Sequence, residues 1–418
     1  MGSSRPISEP NPVDLASVKI SIERNLAALW WFVLAALGLF FPFYTLYLKE
    51  GVGLSGTTVG LIAATLPATG LLAQPLWGRI ADRTGARSRV LSWICVGAAV
   101  GYTALSGPQS AMGLALGTIF LALFSTSLIP NCVSVSLASL PAADAHAYGR
   151  VRVLGTIGFA TCVGLAPYGL GWLDPGANTE PVALRRLLPI AGVLVGCAAL
   201  VSRQLPQTQA VRIRAQKGDW KSLLRNGRFM RVLVFSFLTY LFTQGAMVLF
   251  PLLISEQGGG VPAISRMWLL MLVLEIPLVL AFGAAVDRIG SRGIIAIGTV
   301  AASLRWLTSG FSDDILIIGA VQILHGVTVW GIILALPFYV DRVVPPHLRA
   351  TAQGLLAMVG VSLGSILSNL GAGWLTEHFG SNTPARIAGI ASLLLALTLP
   401  LFIGSIRDET SASNVGPT

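Results

Sequence analysis

The sequence predicts an all-α polytopic membrane protein, with twelve transmembrane helices in two pseudo-symmetric six-helix bundles. Three observations carry the prediction. Of 418 residues, 54% are hydrophobic and only 11% charged, far less charge than a soluble protein of this size displays. Apolar runs repeatedly reach the roughly 20 residues that span a bilayer core, and the strict alternation of a transmembrane barrel is absent. A short basic turn occurs twice: Gly78-Arg79-Ile80-Ala81-Asp82-Arg83-Thr84-Gly85-Ala86-Arg87 returns as Gly283-Ala284-Ala285-Val286-Asp287-Arg288-Ile289-Gly290-Ser291-Arg292. The Gly, Asp, Arg, Gly and Arg positions align without a gap at an offset of about half the chain, which indicates an internal duplication.

In chain order, residues 1–25 read as a cytoplasmic N-terminal tail without a cleavable signal. Residues 26–203 read as the first six-helix bundle, with spans at about 26–48, 57–79, 90–107, 110–131, 151–173 and 186–202. Residues 204–230, the longest internal polar stretch, read as a cytoplasmic linker. Residues 231–406 read as the second bundle, with spans at about 231–254, 265–286, 293–310, 315–340, 351–376 and 385–405, and residues 407–418 as a cytoplasmic tail. Within spans, Pro42, Pro67, Pro75, Pro130, Pro251, Pro277 and Pro337 should each free a backbone carbonyl and favour a kink. Glycines such as Gly360 and Gly364 permit close helix contact.

The formal charge of +10 falls mostly in loops between apolar segments. That placement is what membrane topology demands, and it argues against a nucleic-acid partner, for which there is no motif. Arg79, Arg83, Arg87 and Arg89 follow span two; His146, Arg150 and Arg152 precede or open span five; Arg212, Arg214, Lys217, Lys221, Arg225 and Arg228 fill the linker; Arg288, Arg292, Arg342 and Arg349 follow spans eight and ten. The opposite loops hold Asp174, Glu180, Asp313 and Asp314, with Arg185, Arg186 and Arg266 as exceptions. The balance predicts that both termini are cytoplasmic, and the membrane is expected to be a bacterial inner (plasma) membrane. Cys95, Cys132, Cys162 and Cys197 all lie in apolar segments, without a CxxC pair or a histidine at metal-ligand spacing. They read as free thiols, so no metal and no cofactor is expected.

Twelve spans in two halves, with a Gly-x-x-x-Asp-Arg-x-Gly-x-Arg turn after spans two and eight, resemble the major facilitator superfamily. The resemblance extends to the branch of lactose permease, phenylpropionate permeases and nucleoside–proton symporters. It is carried by Phe41-Pro42-Phe43-Tyr44-Thr45-Leu46-Tyr47-Leu48, Gln74-Pro75-Leu76-Trp77-Gly78, Tyr148-Gly149-Arg150-Val151-Arg152, Leu304-Arg305-Trp306, Leu324-His325-Gly326 and Arg349-Ala350-Thr351-Ala352-Gln353-Gly354. It implies a monomeric secondary transporter working by alternating access, with a small-molecule substrate, protons and the lipid bilayer as its partners.

Gly85 and Gly290 suit the positive φ of a tight inter-helix turn. The plain reading of Gly78, Asp82, Arg83, Gly85, Asp287 and Arg288 is a solvated turn that fixes topology. The resemblance implies a gating latch, in which the aspartate pairs with a nearby arginine and helix terminus in one conformation and releases in the other. The Asp82 turn is the fuller of the two.

Charge inside a bilayer is costly and marks candidate function. Glu275 and His325 lie near the middle of spans eight and ten, Gln322 shares a helix face with His325, Arg305 lies in span nine, and Arg152 lies just inside span five. Either Glu275 pairs permanently with Arg305 or His325 and merely holds the bundle, or Glu275 with His325 carries a coupling proton. Arg152 either snorkels to the interface or reaches the cavity. Compared with lactose permease, Arg152, Arg305 and His325 resemble its arginines in helices five and nine and its histidine in helix ten. The pattern departs at Thr328 and near Val133 or Ser134, where that permease has glutamates, at Phe159, where it has its sugar-stacking tryptophan, and near Leu272, one turn before Glu275. Galactoside transport is therefore not implied.

Two arginines with few anions to balance them favour a small organic anion such as an aromatic carboxylate, bound by Arg152 and Arg305 with Tyr44, Tyr47, Phe159 and Trp306 near the cavity. Asn131, Gln74, Gln244, Gln322 and Asn369 offer contacts for a neutral nucleoside or sugar instead. The leading expectation is a proton symporter. A proton-antiport exporter of drugs or metabolites is the alternative, although span five reads Gly155-Thr156-Ile157-Gly158-Phe159 with Pro167 only later, against the exporters' proline-containing motif. A receptor or scaffold would not need the midplane charges. No P-loop or catalytic set suggests an enzyme.

Overall fold

The computed structural model describes residues 12–140, 147–173, 181–207 and 219–404. His146, Asp174, Glu180, Arg212, Arg214, Lys217 and the 407–418 tail lie outside the described residues. Among the described residues, twelve helices are long and apolar enough to cross a membrane: α1 (Ile20–Gly51), α2 (Gly56–Thr84), α3 (Arg87–Leu105), α4 (Ala111–Ser139), α5 (Ala147–Gly171), α6 (Val182–Ser202), α7 (Gly227–Val248), α8 (Val261–Leu280), α9 (Phe282–Phe311), α10 (Ile315–Val343), α11 (Pro346–Phe379) and α12 (Asn382–Phe402). No strand occurs among the described residues. Helical structure already begins at Pro12, inside the segment read as a tail, and the linker contains a short helix over Asp219–Arg225.

The helix starts follow from capping residues that satisfy otherwise orphaned N–H groups. Ser55 accepts from the Thr58 amide, Ser110 from Gly113, Asn226 from Arg228 and Phe229, and Asp314 from Leu316. Inside the bundle, Thr118, Thr126, Thr239 and Thr299 each donate to the carbonyl four residues back. Without water at that depth, a hydroxyl must find a partner in its own helix or its neighbour.

Both copies of the repeated turn bend on a left-handed glycine. α2 ends at Thr84 and Gly85 has φ 66°. Helical hydrogen bonding runs through Phe282–Phe311, but Gly290 at φ 69°, ψ 161° breaks it, so the part before Gly290 prolongs α8 and the part after it is α9 proper. Of the seven prolines, Pro42 sits in a turn over residues 41–43, Pro251 follows a break at Leu249, Pro277 follows a break at Leu274, and Pro337 follows a π-helical stretch over Val329–Leu334. Pro67, Pro75 and Pro130 stay within continuous helices.

The same helix pairs pack in each half. α1 packs on α5 and α6, and α3 on α4 and α6; α7 packs on α11 and α12, and α9 on α10 and α12. Shifting each label by six carries one set onto the other. The largest contacts between the halves are two pairs related by the same shift, α2 with α11 and α5 with α8. The α2–α11 contact lies far from the basic turns. A methyl added to Gly60 would fall 2.7 Å from the Cα of Gly373. The Thr57 amide donates to Glu377 at 2.8 Å, and Asn369 donates to the Ala63 carbonyl at 3.2 Å. Beside it, Thr45 of α1 donates to the Val248 carbonyl of α7 at 2.9 Å. Near the basic turns, by contrast, a methyl on Gly78, Gly283 or Gly354 would meet nothing within 4 Å. The bundle is thus sealed between its halves at the end away from the basic turns.

Candidate functional site

The second half builds a polar knot around Arg305, which is 1% exposed. Its Nε donates to Gln322 Oε1 at 2.8 Å and its Nη1 meets His325 Nδ1 at 3.1 Å. Nη2 points to the sulfurs of Met247 at 3.3 Å and Met271 at 3.8 Å. The guanidinium lies 4.2 Å from the ring centre of Trp306 and 5.9 Å from that of Phe250. Gln322 also donates to Ser309 Oγ at 3.0 Å and to the Ile318 carbonyl. One arginine therefore ties α7, α8, α9 and α10 together, and no carboxylate pairs with it among the described residues. A guanidinium can only donate, so the Nδ1 of His325 must accept and the imidazole is neutral in this arrangement. α10 is locally tightened here, with the amides of Gln322, Ile323 and His325 bonding three residues back.

Glu275 sits where Pro277 interrupts α8. A proline cannot bond to the carbonyl four residues back and crowds it, and the helix turns at Leu274, between Val261–Val273 and Glu275–Leu280. The break is packed against α10, where a methyl on Gly326 would fall 2.5 Å from the Glu275 nitrogen. No hydrogen bond or ion pair joins the Glu275 side chain to any described residue. The permanent pairing with Arg305 or His325 weighed from the sequence is absent, because His325 is already engaged by Arg305. The cation whose charge bears on Glu275 is instead Arg152, from α5 of the other half. Arg152 lies 4.8 Å from the ring centre of Trp30 and donates to Thr156 at 3.3 Å, while Trp30 donates to Ser136 of α4 at 3.0 Å.

Between the halves, directly beneath the sealed end, lies a cavity of about 110 Å3 lined by Phe40, Phe41, Tyr44, Thr45, Ala63, Leu66, Pro67, Gln244, Val248, Ser365 and Asn369. None of these side chains is charged. Tyr44 stacks on Phe40 and shares a 2.6 Å hydrogen bond with Thr118. Trp268 of α8 contacts both Phe41, at 5.4 Å between ring centres, and Phe159, at 5.7 Å. Trp268, Met271 and Glu275 recur at helical spacing on α8, so one face of that helix passes the aromatic wall, the arginine knot and the carboxylate in turn.

The structure thus brings Arg305, Gln322 and His325 together and places Tyr44 and Gln244 in the cavity wall. Phe159 belongs to the aromatic cluster, and Arg152 lies over Trp30 beside Thr156. Asn131 is buried and spends its amide on the Ser127 carbonyl of its own helix. Asp82 pairs with Arg87 at 3.1 Å, inside its own turn; Asp287 and Arg288 are exposed and make no ion pair among the described residues. Sequence reasoning missed Trp30, Trp268, Met247, Met271 and Ser309. Trp268 and Met271 carried a signal, since they precede Glu275 by seven and four residues, but apolar residues at that spacing are also what any buried helix shows.

Twelve membrane helices in two repeated halves, closing on a central cavity at one end, define a secondary transporter of small solutes with the major facilitator fold. The chain belongs to the MFS_1 like family, whose model matches residues 24–384. It is 26% identical over 404 residues to the uncharacterized transporter YwbF of Bacillus subtilis (strain 168), covering 94% of this chain and 97% of that one. It is likewise 26% identical to the maltose permease of Geobacillus stearothermophilus, covering 93% of this chain and 96% of the permease. The crystal structure of the nucleoside transporter NupG superposes with a TM-score of 0.78 at 18% identity, covering 92% of this chain and 99% of NupG. The chain is an integral membrane transporter of that family.

Proposed function

We propose that this protein is a proton symporter for a neutral polar solute with an apolar face, of the nucleoside or sugar class. The observation that carries this reading is the uncharged cavity lining between the halves, with Phe40, Phe41 and Tyr44 beside Gln244, Ser365 and Asn369. Sites of this kind bind through aromatic walls with a few oriented polar groups. Similarity to a maltose permease and a nucleoside transporter supports the same class. The organic anion favoured by the sequence rested on two uncompensated arginines. Arg305 is wholly engaged inside the second half, and Arg152 has a tryptophan face and the charge of Glu275 to answer it.

In this mechanism Glu275 carries the coupling proton. Its counter-charge comes from the opposite half, so its affinity for a proton changes as the halves rock about the cavity. His325 is coupled to it through Gly326 and the tightened segment of α10. Loop cations support a cytoplasmic location for the basic turns and both termini, which makes the sealed end the outer one and this arrangement inward-facing. The two bundles, residues 26–203 and 231–406, are the rocking units, and the Asp82 turn contributes to the inner gate.

The test is uptake into proteoliposomes of nucleosides, disaccharides and aromatic carboxylates, with and without an inward proton gradient. Gradient-stimulated uptake of a nucleoside or sugar is expected. Stimulated uptake of carboxylates alone would sink the neutral-solute reading, and transport indifferent to the gradient would sink symport.

A further inference from the structure

We infer that the groove between α5 and α8 binds the phosphodiester headgroup of an anionic membrane phospholipid, held by Arg266 and Tyr168. The two largest contacts between the halves, α2 with α11 and α5 with α8, are pseudo-symmetric counterparts, yet they are built differently. α2 and α11 close on each other through Gly56, Gly60 and Gly373. α5 and α8 leave a groove of about 430 Å3, walled by Gly164, Pro167, Pro262 and Leu269. Arg266 and Tyr168 also line it, and both are exposed, Tyr168 at 77%. Ser265 beside Arg266 is 3% exposed, and its hydroxyl has no partner among the described residues.

Position selects the occupant. Arg266 is five residues inside α8, roughly 7–8 Å by helix rise, and Tyr168 is three residues from the end of α5. Both lie at the end away from the basic turns, at headgroup depth. The phenol suits that interface, and a guanidinium matches a phosphate in a bidentate way. A groove on the flank of two membrane-spanning helices is reached from the bilayer, and its glycine, proline and leucine walls suit the glycerol and upper acyl chain. The lipid would also account for a cation that breaks the loop-charge pattern, since its phosphate gives the guanidinium a bidentate partner. Bound there, it joins α5 of one half to α8 of the other beside the sealed end. This inference does not depend on which solute is carried.

The test uses the full chain, purified and stripped of lipid in detergent. Thermal unfolding is followed on adding phosphatidylglycerol, phosphatidylcholine or inorganic phosphate, and native mass spectrometry reads retained lipid. Phosphatidylglycerol should raise the wild-type midpoint by several degrees, as any ligand selective for the folded state does, and should survive as an adduct. Arg266→Gln should lose both effects while keeping the lipid-free midpoint, Arg266→Lys should keep part of them, and Tyr168→Phe should weaken them. Equal gains for Arg266→Gln and wild type would overturn the site. So would an equal gain from inorganic phosphate, which would mean only a surface cation meeting an anion, or from phosphatidylcholine, which would mean that the headgroup charge is not read.

Discussion

Gln322 Oε1 accepts from Arg305 Nε at 2.8 Å while its amide donates to Ser309 at 3.0 Å, so one neutral side chain orients the buried guanidinium of the second half. A hydrogen bond to a charged group contributes about 1.5–3 kcal/mol, and a stranded buried donor costs a similar amount. Gln322→Leu is therefore expected to lose about 2 kcal/mol, read as a lower unfolding midpoint in detergent, whereas Gln322→Glu keeps the acceptor and the fold. A leucine variant as stable as wild type would show that Arg305 is held by its aromatic and sulfur neighbours alone.

The Glu275 side chain makes no hydrogen bond or ion pair with any described residue, and the cation whose charge bears on it, Arg152, belongs to the other half. Glu275→Gln keeps shape and removes the titrating group, so it should abolish proton-driven accumulation while leaving exchange of solute down its own gradient. The two assays in the same vesicles decide the matter. Undiminished accumulation would assign the coupling proton elsewhere.

The membrane class, the twelve spans and the duplication were legible because each leaves a one-dimensional mark. An apolar run has to be bilayer-long, and a left-handed turn needs a glycine, as Gly85 and Gly290 show at φ 66° and 69°. The grouping of Arg305, Gln322 and His325 was partly legible because charge in a membrane is rare. Three-dimensional partners were not. Nothing local tells Arg152 to lie over Trp30 or Glu275 to answer Arg152, and His325 could be taken from Glu275 only by a neighbour on another helix. The cavity was the least legible, since Phe40, Phe41 and Ala63 look like ordinary core residues until the halves are placed together.

The α2–α11 seal tolerates no side chain at Gly60, where an added methyl would sit 2.7 Å from Gly373 Cα. Gly60→Trp should hold that end apart. Labelling of Gln244→Cys by a membrane-impermeant thiol reagent from outside the cell should then rise severalfold over the same cysteine in an otherwise unchanged chain. Cys95, Cys132, Cys162 and Cys197 are replaced by alanine in both backgrounds. Unchanged labelling would mean that the seal does not limit access to the cavity.

His325 accepts a hydrogen bond from Arg305 at Nδ1, at 3.1 Å. The proton of its neutral ring therefore belongs on Nε2. Nitrogen-15 spectra of histidine-labelled protein should show this tautomer for the signal lost in His325→Asn, and the asparagine, whose carbonyl can also accept, should preserve more stability than His325→Leu. A protonated Nδ1 in the resting protein would contradict the contact.

Asp82 and Arg87 form a 3.1 Å ion pair within one turn, with the aspartate side chain 57% exposed. An exposed pair contributes under about 1 kcal/mol, so fold stability cannot be its main use, and its turn is where α2 reverses into α3 on a left-handed glycine. If the turn times the inner gate, Asp82→Asn should leave the unfolding midpoint and solute affinity nearly unchanged and slow turnover severalfold. Asp287→Asn, in the copy where no ion pair forms among the described residues, should slow it less. Measuring equilibrium binding and uptake rate on the same preparations separates the two effects. Equal losses in both aspartate variants would mean that the duplicated turns act alike and that the Arg87 pair is incidental.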